Sequence, residues 1–135
     1  MLRQLFFSLA VLGLLVAPAM AQDRGIAFAT AGDGSYGVCF NTDAGAAFSC
    51  AVDQCVNFSG TDDCLVTLWC TPHSWTAALL ITNTDGYSYF DFLCNEPTAD
   101  KLNEVASVTC AYEGYTSCEI AQVWDPDGVA QYEQQ

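Results

Sequence analysis

His73 is the only histidine in this 135-residue chain, so acid–base chemistry near neutral pH has one natural candidate. A catalytic dyad would need a nucleophile beside that ring. Ser74 and Thr76 are close in sequence, but no G-x-S-x-G turn accompanies them. His73 therefore reads as a partly exposed loop histidine. Carboxylates are better supplied. Asp62, Asp63, Asp91 and Glu96 are the residues that could converge as a hydrolytic pair, although 16 acids in a small chain make chance proximity common. Asp125-Pro126-Asp127-Gly128 has a faint calcium-loop look but misses the EF-hand spacing, and a turn is the better reading. Asn57-Phe58-Ser59 fits a glycosylation sequon, which matters only in a eukaryotic secretory route. Two tryptophans, a proline and the lone histidine lie within Trp69-Cys70-Thr71-Pro72-His73-Ser74-Trp75. Tryptophan is enriched at binding hot spots, so Trp69, His73 and Trp75 are the candidate binding residues. The alternative is that Trp69 or Trp75 covers the core of a small domain.

Eight cysteines are the other reactive groups. No C-x2-C pair is present and one histidine is too few for a zinc site. An even cysteine count in a small exported chain argues for four disulfides. No catalytic residue, metal or cofactor is expected. Export is read from the first residues: Arg3, an apolar run from Leu5 to Ala17, then Ala19-Met20-Ala21 as an A-x-A cleavage pattern. The run is short for a membrane span. Cleavage after Ala21 would give a signal peptide over 1–21 and a mature single domain over 22–135, with no membrane insertion. That mature chain holds Arg24 and Lys101 as its only basic side chains, against all 16 acids. Nucleic acid is excluded as a partner, because phosphate binding needs lysine and arginine. A cationic protein or peptide would be steered toward such a surface; solubility alone is the competing explanation.

The elements that must position these residues come in two similar sets. Cys39, Cys55 and Cys64 are echoed 54 or 55 residues later by Cys94, Cys110 and Cys118. The first copy covers about 25–72 and the second 74–125. A polar tail over 126–135 is expected to fray. Each copy reads strand, strand, helix, strand. The spacing predicts strands over 25–31, 35–41, 63–70, 76–82, 87–95 and 117–125, and helices from about 43 to 55 and from 97 to 110. Alternation places Phe90 and Phe92 inward and Tyr87 and Tyr89 outward. The expected fold class is α+β: one mainly antiparallel six-stranded sheet, two helices on one face, stapled by disulfides. The repeat pairs Cys55 with Cys64 and Cys110 with Cys118. Cys50 and Cys70 correspond to the apolar Val105 and Trp124 and are expected to face the core. Elimination then gives Cys50–Cys70 and Cys39–Cys94.

Ala47-x3-Ala51-x3-Cys55 followed by Cys64-Leu65-Val66, and Leu102-x3-Ala106-x3-Cys110 followed by Cys118-Glu119-Ile120, resemble a domain-of-unknown-function family of small secreted bacterial proteins. Its members look like two tandem copies of a hairpin, an A-x3-A-x3-C helix and a further strand. The match spans about Gly25 to Trp124. Arg24 stands where a tryptophan is expected, and the cysteines at 39, 50 and 94 are additional. The resemblance implies an exported α+β fold and no established activity or site.

The functional expectation is a secreted, non-catalytic binding or inhibitory module for a cationic protein or peptide, in the periplasm or outside the cell. Disulfide rigidity favours it, since a pre-organised surface binds at lower entropic cost. A small carboxylate-dependent hydrolase and an envelope structural protein without a discrete ligand are the alternatives.

Overall fold

A computed structural model describes residues 24–131. The expected signal peptide over 1–21 and the last residues of the tail, 132–135, lie outside the described residues. The chain runs β1 (Gly25–Thr30), β2 (Tyr36–Asn41), α1 (Ala44–Ser59), β3 (Leu65–Cys70), β4 (Trp75–Asn83), β5 (Ser88–Glu96), α2 (Ala99–Cys110), β6 (Tyr115–Trp124) and β7 (Ala130–Gln131). Asp43 caps α1 by accepting from the Ala46 amide at 2.8 Å, and Thr98 caps α2 by accepting from Lys101 N at 3.1 Å. α1 passes the expected end at Cys55 by one turn. No residue before Gly60 breaks it, and Gly60 in the left-handed region closes it by donating to the Val56 carbonyl.

The fold is α+β, but its strands form two sheets rather than one. β2-β1-β3 make an antiparallel sheet of three, and β5-β4-β6-β7 one of four. The first strand of each hairpin is central in both, and both halves share one connectivity. The sheets lie face to face, and each carries its own helix on its outer face. Four layers result: α1, first sheet, second sheet, α2.

Side-chain alternation explains this arrangement. Ala27 and Ala29 of β1 pack under α1, against Ala47, Ala51 and Cys55. Ile26 and Phe28, on the opposite face, pack with Ala78, Phe92 and Trp124 of the second sheet. Leu79 and Ile81 of β4 face α2 and Ala106. Both central strands are thus apolar on both faces, which requires cover on both. One continuous sheet with its helices on one side would leave Phe28, Phe92 and Trp124 in water. Phe28 instead stacks on Phe92 with centroids 4.0 Å apart and meets Trp124 edge-on at 5.6 Å. Burying each such ring contributes roughly 1.5–3 kcal/mol.

The same face rule sorts the cysteines. The bonds are Cys39–Cys50, Cys55–Cys64, Cys70–Cys94 and Cys110–Cys118. The expected pairs Cys50–Cys70 and Cys39–Cys94 are corrected. Cys39 stands opposite Ala27, so it faces α1 and reaches Cys50 there. Cys70 stands opposite Ile26, so it faces the second sheet and reaches Cys94 on β5. A bond from α1 to Cys70 would have to pass through the sheet. Cys50 is also exposed rather than core-facing.

The tail is corrected too. Residues 126–131 close a hairpin, in which Trp124 pairs with Ala130 and Val123 with Gln131. Asp125 organises it. Its Oδ1 accepts from the amides of Asp127 (3.0 Å) and Val129 (2.9 Å), and its Oδ2 from Gln131 Nε2 (2.8 Å). That turn holds its carboxylate with backbone, and no group of three or more potential metal ligands occurs among the described residues.

Candidate functional site

The segment joining the two halves does not gather Trp69, His73 and Trp75 into one surface. Trp69 is half-buried on the α1 side, edge-on to Phe48 at 5.9 Å. Its ring covers Gly25, where any Cβ would strike it. Trp75 opens β4 and is half-buried, opposite Glu96. Its neighbour Thr76 pairs with Trp124 and so faces the first sheet, which turns Trp75 toward the α2 layer.

His73 is a structural tie. Its amide donates to the Arg24 carbonyl at 2.6 Å, and its Nε2 donates to the Asp125 carbonyl at 2.6 Å. That bond fixes the Nε2–H tautomer. Burial is the main cause that pulls its pKa below the ordinary 6.5, with the Arg24 charge adding to it against the Asp125 carbonyl. The one hydroxyl beside the ring is that of Thr76, 3.4 Å from Nδ1, and it is fully buried, out of reach of a substrate. Ser74 Oγ donates to the Glu96 carbonyl at 2.8 Å, and the buried Thr76 hydroxyl donates to the Ser74 carbonyl at 3.0 Å.

A groove of about 660 Å³ opens where the two sheets meet beside α1. Its apolar wall is Tyr36 and Val38 of β2, Phe58 of α1, Phe90 of β5 and Trp124 of β6. Tyr36 anchors that wall, edge-on to Phe90 at 4.6 Å and to Trp124 at 6.5 Å. Burial raises the Tyr36 pKa, so its phenol stays neutral. The polar lining is Asp33, Ser35, Gln54 and Gln122. Concave, mainly aromatic walls with a few placed polar groups are the usual composition of a ligand site.

Two of the polar side chains in that lining keep an unengaged acceptor. Gln54 is consumed: Oε1 accepts from the Val38 amide at 3.3 Å and Nε2 donates to Cys39 Sγ at 3.2 Å. Gln122 Nε2 donates to the carbonyls of Val123 (2.9 Å) and Gln131 (3.0 Å), which leaves its Oε1. Asp33 Oδ1 accepts from the Ser35 amide at 2.8 Å, which leaves Oδ2. The lining thus leaves two acceptors unengaged, Asp33 Oδ2 and Gln122 Oε1, beside the hydroxyls of Ser35 and Tyr36, and its one charged group is the Asp33 carboxylate. Neither Arg24 nor Lys101 lines the groove. Arg24 sits over the Phe40 ring at 5.6 Å, and Lys101 pairs with Glu104 at 2.9 Å.

Asp62, Asp63, Asp91 and Glu96 lie outside the groove lining. Asp63 is engaged by the Thr61 hydroxyl and, at 3.2 Å, by the Gly32 amide. Those two bonds lower its pKa, so it stays ionised. The groove residues were not singled out from the sequence, since they come from separate elements on both sheets. One signal was present: Gln54 shares the stripe of Ala47 and Ala51, a polar residue on a core-facing helix face.

Four disulfides are the mark of an oxidising compartment. No described helix is long and apolar enough to cross a membrane. No protein-family profile, curated protein or solved structure matches the chain.

Proposed function

We propose that the chain is exported, cleaved after Ala21, and acts in the periplasm or outside the cell as a non-catalytic binding module. Its partner is a cationic protein or peptide, one of whose lysine or arginine side chains enters the groove. Membership of the secreted two-copy family belongs to the same proposal. The observation that carries it is the groove's one charge: Asp33 keeps a free carboxylate oxygen, Gln122 keeps a free amide oxygen, both suited to a donor, and the wall beside them is aromatic. The last turn of α1 reinforces it. Phe58 stands there with no basic residue nearby in the helix, and a helix C-terminus favours positive charge. The surrounding field agrees, because Lys101–Glu104 is the one salt bridge among the described residues and most carboxylates are unpaired.

Calorimetric titration with an arginine-rich hexapeptide tests this. Binding should weaken as salt rises, and Asp33→Asn should weaken it about tenfold, or about 1.4 kcal/mol, with the melting point unchanged. Equal binding of a glutamate-rich hexapeptide, or an unaffected Asp33→Asn protein, would remove the reading.

A further inference from the structure

The two sheets expose their edges unequally. On β2 the Val38 amide is taken by Gln54 Oε1. β5 carries Asp91 and Glu96, charges that oppose strand addition. The far edge of the second sheet is β6, which carries the charge of Glu119 and is covered at Val123 and Trp124 by the two-residue β7, whose Gln131 carbonyl accepts from Gln122. β3 has none of these devices along its length. It reads Leu-Val-Thr-Leu-Trp-Cys, without a charge or a proline. Leu65 is 73% exposed and Val66 46%. Among the described residues its backbone pairs with β1 alone, and the one side-chain bond to its main chain is Thr67 Oγ1 to the Leu65 carbonyl. A single register shift opposite Phe28 and Ala29 marks the strand, where the Thr67 hydroxyl meets that of Thr30 at 2.7 Å.

We propose that β3 is a docking edge for an extended segment of the cationic partner, which adds to the first sheet as an antiparallel fourth strand. Main-chain hydrogen bonds would supply the attraction and Leu65 and Val66 the side-chain contact. Charge sets the direction. Asp62 and Asp63 precede β3, and Asp63 is held ionised by Thr61 and Gly32. No lysine or arginine lies in β3 or in the loop before it. An antiparallel newcomer brings its C-terminal end to those two carboxylates, so its basic residues belong at that end. The occupant's charge rests on the cationic-partner reading above; the docking place does not. A second copy of this acidic chain is disfavoured, because it would set like charges against each other.

The probe is a blocked octapeptide of alternating threonine and valine that ends in two lysines. Amide hydrogen exchange should slow at least tenfold across Leu65–Trp69 on saturation, with β5 unaffected. The same peptide with its lysines moved to the N-terminus, or replaced by glutamates, should bind at least tenfold more weakly. Three results would overturn the proposal: binding without protection of β3, equal protection by the glutamate peptide, or a dimer in sedimentation that already protects β3 without peptide. Arginine-peptide binding that still depends on Asp33 would leave the groove reading standing in each case. Loss of that binding alone, with β3 still protected by the lysine-ended peptide, would remove the groove and keep the edge.

Discussion

Gly37→Ala should be among the most damaging single-methyl changes available in this chain. Gly37 lies on β2 directly beneath α1. A Cβ there would enter the Ala51 carbonyl oxygen and stand 2.5 Å from the Cys55 amide nitrogen and 3.0 Å from Gln54 Cβ. Two of those obstacles are backbone, so no rotamer change relieves them. Ordinary contact would need the helix to rise by about 1.5 Å, given a comfortable separation near 3.5 Å. It is not free to do so, because Cys39–Cys50 and Cys55–Cys64 clamp α1 at both ends of the contact. Overpacking costs about 1–3 kcal/mol and occasionally more; the clamps put this site at the upper end, about 3 kcal/mol. At roughly 4–8 °C per kcal/mol, the melting point of the oxidised protein should fall by about 12–24 °C. Circular dichroism at the helix minimum measures it. Gly45→Ala is the control: it lies in the first turn of α1, where a Cβ meets only Asp43 Oδ1 at 3.3 Å, and it should be neutral or slightly stabilising. A Gly37→Ala protein melting within about 4 °C of the parent would show that the helix-to-sheet distance is not set at this residue.

Phe28→Ala removes the fully buried ring between the sheets and should cost about 3–5 kcal/mol; a chemical-denaturation loss below about 1 kcal/mol would contradict the two-sheet core. Replacing both Cys70 and Cys94 by alanine opens the only bridge between sheets, across a separation of 24 residues, and should lower stability by about 3–4 kcal/mol on the chain-entropy account, while peptide mapping of the parent should yield Cys70 joined to Cys94 and to no other cysteine. On the acid side, His73 disfavours its proton in the folded state, so its contribution is complete above pH 6.5 and is lost as pH falls toward its lower folded value. The melting point should decline from pH 6.5 downward and His73→Gln should flatten that slope; a rise on acidification would refute the assignment. On the alkaline side, the Tyr115 phenol beside Tyr89 pushes the Tyr89 pKa up to about 12 and burial raises that of Tyr36, so stability should fall above pH 10, with two phenols titrating late in ultraviolet absorbance.

Period and punctuation made the elements legible. Glycine turns, the Asp43 and Thr98 caps and the alternation of Tyr36, Val38 and Phe40 are local signals, and the strands and helices follow them. α1 overran its expected end because Asn57-Phe58-Ser59 is only mildly unfavourable to helix, and Gly60 alone stops it. The layer order depends on something less local. Gly-Ile-Ala-Phe-Ala-Thr and Thr-Ala-Ala-Leu-Leu-Ile do not alternate between apolar and polar, and that lack of alternation is itself the sign of a strand buried on both faces. Assigning both helices to one face of one sheet overlooked it. Trp69 and Trp75 are near in sequence but belong to different sheets, so proximity along the chain carried no information about a shared surface. The groove was illegible for the converse reason. Asp33, Gln54, Phe90 and Trp124 meet only after two sheets have packed.

The misassigned disulfides show how a correct alignment can still mislead. Cys50 and Cys70 do correspond to Val105 and Trp124, and Trp124 is indeed buried. The faulty step was to suppose that two core-facing residues face the same core. A four-layer molecule has three interiors: under α1, between the sheets, and under α2. Cys39 belongs to the first, Cys70 to the second and Cys118 to the third. The middle interior differs in kind from the outer two, which each half builds from its own helix and strands. Phe28 needs Phe92 and Trp124, Tyr36 needs Phe90, and Cys70 needs Cys94, so every major contact there joins one half to the other. Neither half can bury Ile26 and Phe28, or Phe92 and Trp124, alone. The groove lies at the margin of that same junction. Folding and the shape of the groove therefore depend on one contact surface, and a change that loosens the sheets should empty the groove of its shape before it unfolds either half.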